Sequence, residues 1–374
     1  STNLPPSLET NPIASLVCHY KVPPIWPLDF LDSIRRVIST PCATPESPEF
    51  FFKMSEESAA KNFLVLAKYG MDLGKASDAQ KKSPLGYGSE FRSPELLEHV
   101  FSYHPVWQRM RSLLTRGSDW PMEDLNNKLR KKDVEEALNF GNHKGATENP
   151  ELLKKLVKKD VTHGYGLVLP LKKVQRVPGL LMAPMNIMRQ NTTDKHGKIV
   201  MKDRLTHDQS YRFVSDTSVN SRVEKVALLP CMFGQCHRRI AIWAVAARRR
   251  FPRSRILASK VDFKSAYRRC HLNHRVAIQT CTQLPAEDIA MMALRLTFGG
   301  APGPYEWSVI SETICDLTMA ILHRDDWDPT TLRAASQDLI PQRKIFEDNI
   351  PLGRGERSNR RRTGRPSWIL RYIH

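Results

Sequence analysis

A predicted strand that ends in a carboxylate constrains this chain more than any other feature. Residues 256–262 read Ile-Leu-Ala-Ser-Lys-Val-Asp, a mostly apolar run that is typical of a buried strand. Asp262 stands at its carboxyl end, and Phe263 to Tyr267 then turn into a helix. A carboxylate in this position can hold Mg²⁺, which prefers oxygen ligands and keeps room for water and substrate phosphates. On spacing alone, a role for Asp262 as a helix cap or turn former stays open.

A loop rich in glycine and proline follows further along the chain and opens a helix. It runs from Leu296 to Pro304 with the sequence Leu-Thr-Phe-Gly-Gly-Ala-Pro-Gly-Pro. Glycine lets the backbone approach a neighbour closely, because no side chain intervenes. From Tyr305 to Ile321, apolar residues recur at steps of three and four, the spacing of one helix face. The pattern predicts a well-marked amphipathic helix.

The charge balance favours a polyanionic partner. The 374 residues include 57 Lys and Arg against 39 Asp and Glu, a formal net charge of +18. Such an excess suits nucleic acid or an anionic membrane surface, and charge alone does not choose between them. No apolar stretch approaches the ~18 residues that a membrane span needs, so we expect no membrane partner.

The start of the chain and its cysteines predict an intracellular protein, cytoplasmic or nuclear. Residues 1–17 contain no basic segment leading into an apolar core, so a secretory signal is not expected. The seven cysteines are odd in number and scattered, which fits reduced thiols better than a disulfide framework.

Composition divides the first part of the chain into two regions. Residues 1–48 are rich in Pro, Ser and Thr with little periodicity, which predicts an extended or poorly ordered leader. Residues 49–160 show helical periodicity with Pro and Gly between the helices. A solvated helix face and a nucleic-acid contact both account for the basic residues that recur there: Lys128, Arg130, Lys131, Lys132, Lys154, Lys155, Lys158 and Lys159.

After residue 160 the pattern changes to short strands. One strand at 185–188 is followed by a polar, glycine-bearing turn and a second apolar run at 198–201, which predicts a hairpin. A helix is predicted across 235–250, with an arginine cluster at its end. Its apolar face carries Ile240, Trp243, Ala244 and Ala247, and residues 241–247 are expected to be buried. Further strands are predicted at 167–170, 276–280 and 293–296.

Together these motifs resemble those of retroelement reverse transcriptases over about residues 160–322. Asp262-x-x-x-Ala266-Tyr267 matches motif A of that family, and Leu296-x-Phe298-Gly299, with Pro304 closing the loop, matches motif B. The ribbon that ends in Arg204-Leu205-Thr206-His207-Asp208-Gln209-Ser210 is similar to the family's fingers hairpin. The resemblance implies an α+β polymerase fold with right-hand fingers over 161–260 and a partial palm over 256–330. The palm would be a split β-α-β sheet, preceded by the helical N-terminal region and followed by a basic tail at 331–374.

The resemblance also implies roles for particular residues. Asp262 would be catalytic and, with the backbone carbonyl of Phe263, would bind metal in an enzyme that uses two Mg²⁺ ions. Tyr267 would lie under the sugar of the incoming nucleotide and exclude a 2′-hydroxyl by bulk. The remaining expected nucleotide-binding residues are Arg204 and Arg189 on the triphosphate, Phe298 against the new base pair, and Gly299 and Pro304 in the loop.

The third family motif, an apolar hairpin with an adjacent aspartate pair, is not recognisable. His323-Arg324-Asp325-Asp326 holds the only adjacent pair but follows the predicted helix directly, so a solvated helix end is the favoured interpretation. Residues 353–365 contain six arginines and one acid, as in an RNA-binding or import tail or a segment translated out of frame. We therefore expect an incomplete and inactive fragment.

The intact enzyme would add deoxynucleotides to a primer 3′-end. Its partners would be an RNA or DNA template-primer and deoxynucleoside triphosphates, and its oligomeric state stays open. One alternative is a non-catalytic nucleic-acid-binding module derived from a polymerase fold. Another is an unrelated helical adaptor in which the motif matches are coincidental.

Overall fold

The computed structural model describes residues 24–41, 43–194, 197–228, 236–253, 263, 265–322, 324 and 326. The helices of the first half are α1 (Phe30–Ser39), α2 (Glu56–Lys68), α3 (Leu73–Ala79), α4 (Pro94–Phe101), α5 (Trp107–Arg116), α6 (Asn127–Phe140), α7 (Lys144–Thr147) and α8 (Pro150–Thr162). The second half contains β1 (Gly166–Pro170), β2 (Met185–Thr193), β3 (Ile199–His207), α9 (Cys236–Arg250), α10 (His274–Ala277), β4 (Cys281–Leu284), β5 (Ile289–Ala293) and α11 (Gly303–Leu322). The described chain is therefore a mixed α+β fold.

Polar caps explain where several N-terminal helices begin. The Ser55 hydroxyl accepts the Ser58 amide at the start of α2, and the Asp72 carboxylate accepts an amide at the start of α3. Ser93 caps α4, and Pro94 occupies the first helical position, where its missing N–H is not needed. The prediction of a mostly helical region over residues 49–160 is confirmed.

A three-stranded antiparallel sheet in the order β1-β5-β4 lies between two apolar clusters. Every residue of β5 is buried, and successive side chains alternate between the two sides. Ala290 and Met292 belong to the larger cluster, whereas Ile289 and Met291 belong to the smaller one. Because both faces are covered, this strand is apolar throughout instead of alternating with polar residues.

Two of the predicted strands are displaced. Residues 276–280 were expected to be a strand, but Asn273 caps the short helix α10, and the strand begins only at Cys281. The strand expected at 293–296 ends at Ala293, and the segment beyond it runs on to meet residues 270–272 through backbone hydrogen bonds. Short apolar runs do not distinguish a strand from a buried helical turn, which explains the error.

The prediction of an extended or poorly ordered leader over residues 1–48 is wrong for Phe30–Ser39, which form helix α1. Phe30, Leu31, Ile34 and Val37 are buried at helical spacing and join the larger cluster. The high Pro and Ser content of residues 1–48 hid this short amphipathic helix from the sequence analysis. Its stability comes from tertiary packing, which offsets the entropy lost when the helix orders.

The predicted boundary near residue 160 does not divide the core. Residues from α1, α5, β1 and α11 all belong to the larger cluster. Polar contacts cross the same boundary: Arg109 bonds to the buried carboxylate of Glu306, and His104 Nε2 lies 2.9 Å from Asp316 Oδ2. The N-terminal helices therefore share one hydrophobic core with the second half of the chain.

The β2–β3 hairpin is confirmed and is longer than predicted. Its register runs from Met185 opposite His207 to Thr193 opposite Ile199. Helix α9 is also confirmed, but the expected burial of residues 241–247 is wrong at Ile242 and Val245, which are 41 % and 53 % exposed. None of the helices over the described ranges has the length and apolar character needed to cross a membrane.

Candidate functional site

The two sequence motifs meet at a pair of aromatic rings. The ring centroids of Tyr267 and Phe298 are 5.2 Å apart, with the planes inclined by 35°. Tyr267 opens a short 3-10 helix (Tyr267–Arg269) after Ser265, whose φ of +58° lies in the left-handed region. Phe298 is 48 % exposed, so part of its ring is open to solvent. The structure thus brings two predicted nucleotide-binding residues together and leaves aromatic surface for a ligand.

The first turn of α11 lies beside this ring pair. A Cβ built on Gly303 would lie 3.4 Å from Cε2 of Tyr267, so the backbone here approaches the tyrosine directly. Pro304 follows in the first helical turn, where a residue without an N–H is tolerated. The loop therefore opens a helix, as expected, and Pro304 serves that helix start.

The loop is joined to the end of the hairpin at Gly299. The His207 amide donates to the Phe298 carbonyl at 3.0 Å. Gly299 has φ of +124°, and a Cβ at this position would lie 1.8 Å from the His207 carbonyl oxygen. Only glycine allows so close an approach between the two backbones. The close approach that the structure shows at this glycine is made to the hairpin, whereas the resemblance implies an approach to the nucleotide.

Three polar side chains that we did not predict hold the same loop. Asn220 donates to the Gly299 carbonyl at 2.7 Å and accepts the Ala301 amide at 2.7 Å. Gln209 Nε2 donates to the Thr297 hydroxyl at 2.8 Å, and Arg268 Nη1 donates to the Leu296 carbonyl at 2.8 Å. Arg268 directly follows Tyr267 of the first motif, and Gln209 lies within the segment that ends the matched ribbon. Asn220 carries no signal at any fixed spacing and is found only from the folded contacts.

His207 is fully enclosed at this junction. Neither ring nitrogen has a hydrogen-bond partner among the described residues. Burial, followed by the charge of Arg268, lowers the pKa of His207 from 6.5 to about 3. The imidazole is therefore neutral at physiological pH, and its environment opposes protonation.

The two arginines expected on the triphosphate lie on opposite faces of the hairpin. Arg189 is opposite Asp203, and Arg204 is opposite Met188 in the neighbouring pair. Side chains alternate between faces along a strand, so adjacent pairs point in opposite directions. Arg189 Nε also lies 3.2 Å from Asp203 Oδ1. The structure does not bring Arg189 and Arg204 together.

Arg204 has the less satisfied environment of the two. Its Nε atom is buried and has no hydrogen-bond partner within the described ranges. A buried guanidinium nitrogen without an acceptor is unfavourable, whereas an anionic oxygen would satisfy it. By contrast, Arg189 is 61 % exposed in its side chain and already faces a carboxylate.

The expected metal-binding carboxylate, Asp262, lies outside the described residues, as does the whole strand predicted at 256–262. Phe263 is described, and its ring packs edge-to-face on Trp307 with centroids 5.6 Å apart. Within the described part of the chain, no group of three or more His, Cys, Asp or Glu side chains is arranged to hold a metal ion. Binding of the predicted Mg²⁺ thus depends on the carboxylate of Asp262.

The aspartate pair after α11 has one described member, Asp326. Arg324 donates to both of its carboxylate oxygens, at 2.8 and 2.9 Å. This hydrogen bonding lowers the pKa of Asp326 to about 2. The contact lies just after the end of α11 at Leu322, which agrees with the interpretation as a solvated helix end.

No protein-family model, curated protein or solved structure matches this chain.

Proposed function

We propose that this chain is an incomplete and inactive fragment of a reverse transcriptase, which keeps the template-primer and deoxynucleotide binding of the intact enzyme; the intact enzyme would add deoxynucleotides to a primer 3′-end by template-directed nucleotidyl transfer. The observation that carries the proposal is the contact between Tyr267 and Phe298, which belong to separate sequence motifs. The order of the two motifs along the chain, which is that of the family, supports the same proposal. The contact between residues of two separate motifs supports the proposal.

In this proposal each part of the site has one task. Tyr267 lies beside the sugar of the incoming nucleotide, and Phe298 contacts its base pair. Arg204 supplies donors to the triphosphate, since a guanidinium can bind phosphate through two hydrogen bonds. Bound Mg²⁺ at Asp262 and the Phe263 carbonyl would neutralise charge at the reacting phosphates.

A binding experiment with the full chain tests this function. A fluorescent primer with a 3′-dideoxy end is annealed to an RNA template, and anisotropy is measured in Mg²⁺ with each nucleoside triphosphate. The complementary deoxynucleotide is expected to tighten binding about tenfold, because it bridges protein and template. Asp262→Asn should abolish that increment and leave nucleotide-independent binding intact. Equal effects of complementary and non-complementary nucleotides would contradict the proposal.

A comparison of the hairpin arginines gives a second prediction. Arg204→Ala is expected to weaken nucleotide-dependent binding about tenfold, since a charge-assisted hydrogen bond is worth roughly 1.5 to 3 kcal/mol. Arg189→Ala is the matched control, because it removes the same charge from the same hairpin but from the opposite face. Nucleotide titrations in the anisotropy assay measure both. The prediction is wrong if the two variants lose affinity equally.

A non-catalytic nucleic-acid-binding module is the second candidate. Lys155, Lys158 and Lys159 on α8 are exposed, and none of them forms an ion pair with another described residue. Such lysines can neutralise phosphates without reading sequence, and the affinity would fall steeply with salt. Template-primer binding that weakens with salt but does not change with added nucleotide or with Asp262→Asn would favour this candidate. Failure to bind any nucleic acid would contradict both and favour an adaptor.

A further inference from the structure

Arg268 joins the two motifs through a hydrogen bond next to the aromatic ring pair. It follows Tyr267 directly in the 3-10 helix and is buried, with 9 % of its surface exposed. One guanidinium nitrogen, Nη1, donates to the Leu296 carbonyl at 2.8 Å, two residues before Phe298. The side chain therefore connects the segment that carries Tyr267 to the segment that carries Phe298.

The other guanidinium nitrogen reaches the N-terminal helical region. Nη2 of Arg268 lies 2.5 Å from Oδ2 of Asp160, near the end of α8. Both side chains are largely buried, at 11 % and 19 % exposure. Removing one partner of a buried ion pair strongly destabilises the folded protein, because the other charge is left buried and uncompensated. Asp160 thus orients the guanidinium that holds the loop.

We propose that Arg268 is a positioning residue for nucleotide selection and that Asp160 brings the N-terminal helical region into the site. Arg268 holds the Leu296 carbonyl so that the Phe298 ring stays against Tyr267. The inference rests on the proposed function, since it concerns how the site selects a deoxynucleotide. It also assigns a role to the region before residue 160, which contains neither of the matched motifs.

The next residue, Arg269, provides a matched control. Its Nη1 lies 2.6 Å from Oε2 of Glu90, so it also pairs with a carboxylate of the N-terminal region. The side-chain exposures of this pair, 16 % and 15 %, are similar to those of the first pair. No hydrogen bond joins Arg269 to residues 296–304 among the described contacts. Glu90 also lies 3.6 Å from Nη2 of the buried Arg295, one residue before Leu296, so the matched control is Arg269 and not Glu90.

Lysine is the informative substitution at both positions. Lys keeps the positive charge but has one nitrogen, so it does not span the Leu296 carbonyl and the Asp160 carboxylate in the fork geometry of Arg. Arg268→Lys should loosen the loop, whereas Arg269→Lys should keep a single ion pair with Glu90. Both variants are first checked for a cooperative thermal transition, so that an unfolded protein is not mistaken for a positioning effect.

The first readout needs no substrate. Amide hydrogen exchange is followed in peptides that cover His207 and Ala301, whose N–H groups bond to Phe298 and Asn220 across the loop. Exchange at both amides should be about tenfold faster in Arg268→Lys, because local opening of the loop becomes easier. It should be unchanged in Arg269→Lys. Equal exchange in Arg268→Lys and the unmodified chain would overturn the inference whether or not the protein binds nucleotides.

The second readout is the preference for deoxynucleotide over ribonucleotide in the blocked-primer complex. Small misplacements of a positioning group can change reactivity or selection by up to about 100-fold, and we expect the preference to fall about tenfold in Arg268→Lys. Asp160→Asn should have the same direction of effect, and Arg269→Lys should change the preference less than twofold. Faster exchange with an unchanged preference would reduce Arg268 to a structural role and overturn the inference.

The two readouts separate failure of this inference from failure of the proposed function. If the unmodified chain shows no nucleotide-dependent complex, the proposed function fails, and the selection role falls with it. If that complex forms but Arg268→Lys behaves like Arg269→Lys, only the positioning inference fails. Loss of preference together with faster exchange in Arg268→Lys alone supports both.

Discussion

Gly299→Ala is expected to disrupt the loop of residues 296–304 and to abolish nucleotide-dependent binding. The added Cβ would lie 1.8 Å from the His207 carbonyl oxygen, at a φ of +124° that L residues rarely adopt. The obstructing atom belongs to the backbone, so no side-chain rotation relieves the overlap. We expect the free energy of unfolding, measured by urea denaturation, to fall by about 3 kcal/mol, the sum of backbone strain and overpacking.

Gly70→Ala is the control for this prediction. Gly70 also has a positive φ, +68°, in the turn that ends α2, but a Cβ there would meet no atom within 4 Å. Its replacement should therefore cost only the conformational strain, about 1 kcal/mol, and should leave nucleotide-dependent binding intact. Similar losses of stability in the two variants would mean that the approach between Gly299 and His207 does not restrain the fold.

The stability of the protein is expected to fall as the pH decreases from about 6.5, and His207 should cause a large part of the fall. Burial and Arg268 lower the pKa of this imidazole to about 3 in the folded protein, against 6.5 in the unfolded chain. Between these values the unfolded state binds the proton and the folded state does not, so acid favours unfolding. The contribution is fully present above pH 6.5, and about 1.4 kcal/mol is lost per pH unit below it.

The variant His207→Leu isolates this effect. Both ring nitrogens lack partners among the described residues, so a side chain of similar volume without nitrogens should be tolerated at pH 7. Urea denaturation at pH 6.5 and 4.5 should show about 2 to 3 kcal/mol less loss in the variant than in the unmodified chain. His271, whose pKa burial also lowers, contributes acid sensitivity in both proteins and cancels in the difference. His99→Leu, at an exposed helical position, is the control for loss of an imidazole and should retain the full acid sensitivity. An identical pH dependence in His207→Leu would contradict the prediction.

Elements with a strong period were predicted well from sequence. Helix α11 carries apolar residues at steps of three and four, and Ile310, Ile314 and Leu317 are buried as that pattern requires. The hairpin was recognisable because its strands flank a glycine-bearing turn. By contrast, the central strand β5 is covered on both faces and has no polar alternation, so its limits were misplaced. Helix α1 was missed because its stability comes from contacts with distant parts of the chain.

The candidate site was only partly readable from sequence. The loop glycines, Tyr267 and Phe298 stood out because backbone approach and aromatic surface depend on residue type. The supporting residues Asn220, Arg268 and Asp160 did not, since an asparagine or an ion pair has no fixed spacing when its partner is far away in sequence. The expected pairing of Arg189 with Arg204 also depended on strand register, and a register difference of one residue changes the face.

Sequence alone determined the types of the main elements, the basic character of the chain and the two segments that resemble polymerase motifs. These properties are local, because periodicity, charge and glycine placement act over a few residues. Tertiary structure decided that the N-terminal helices share the core, that Gly299 meets His207, and that Arg268 joins Leu296 to Asp160. Such contacts unite residues up to 212 positions apart, and only packing of the whole chain specifies which distant groups become neighbours.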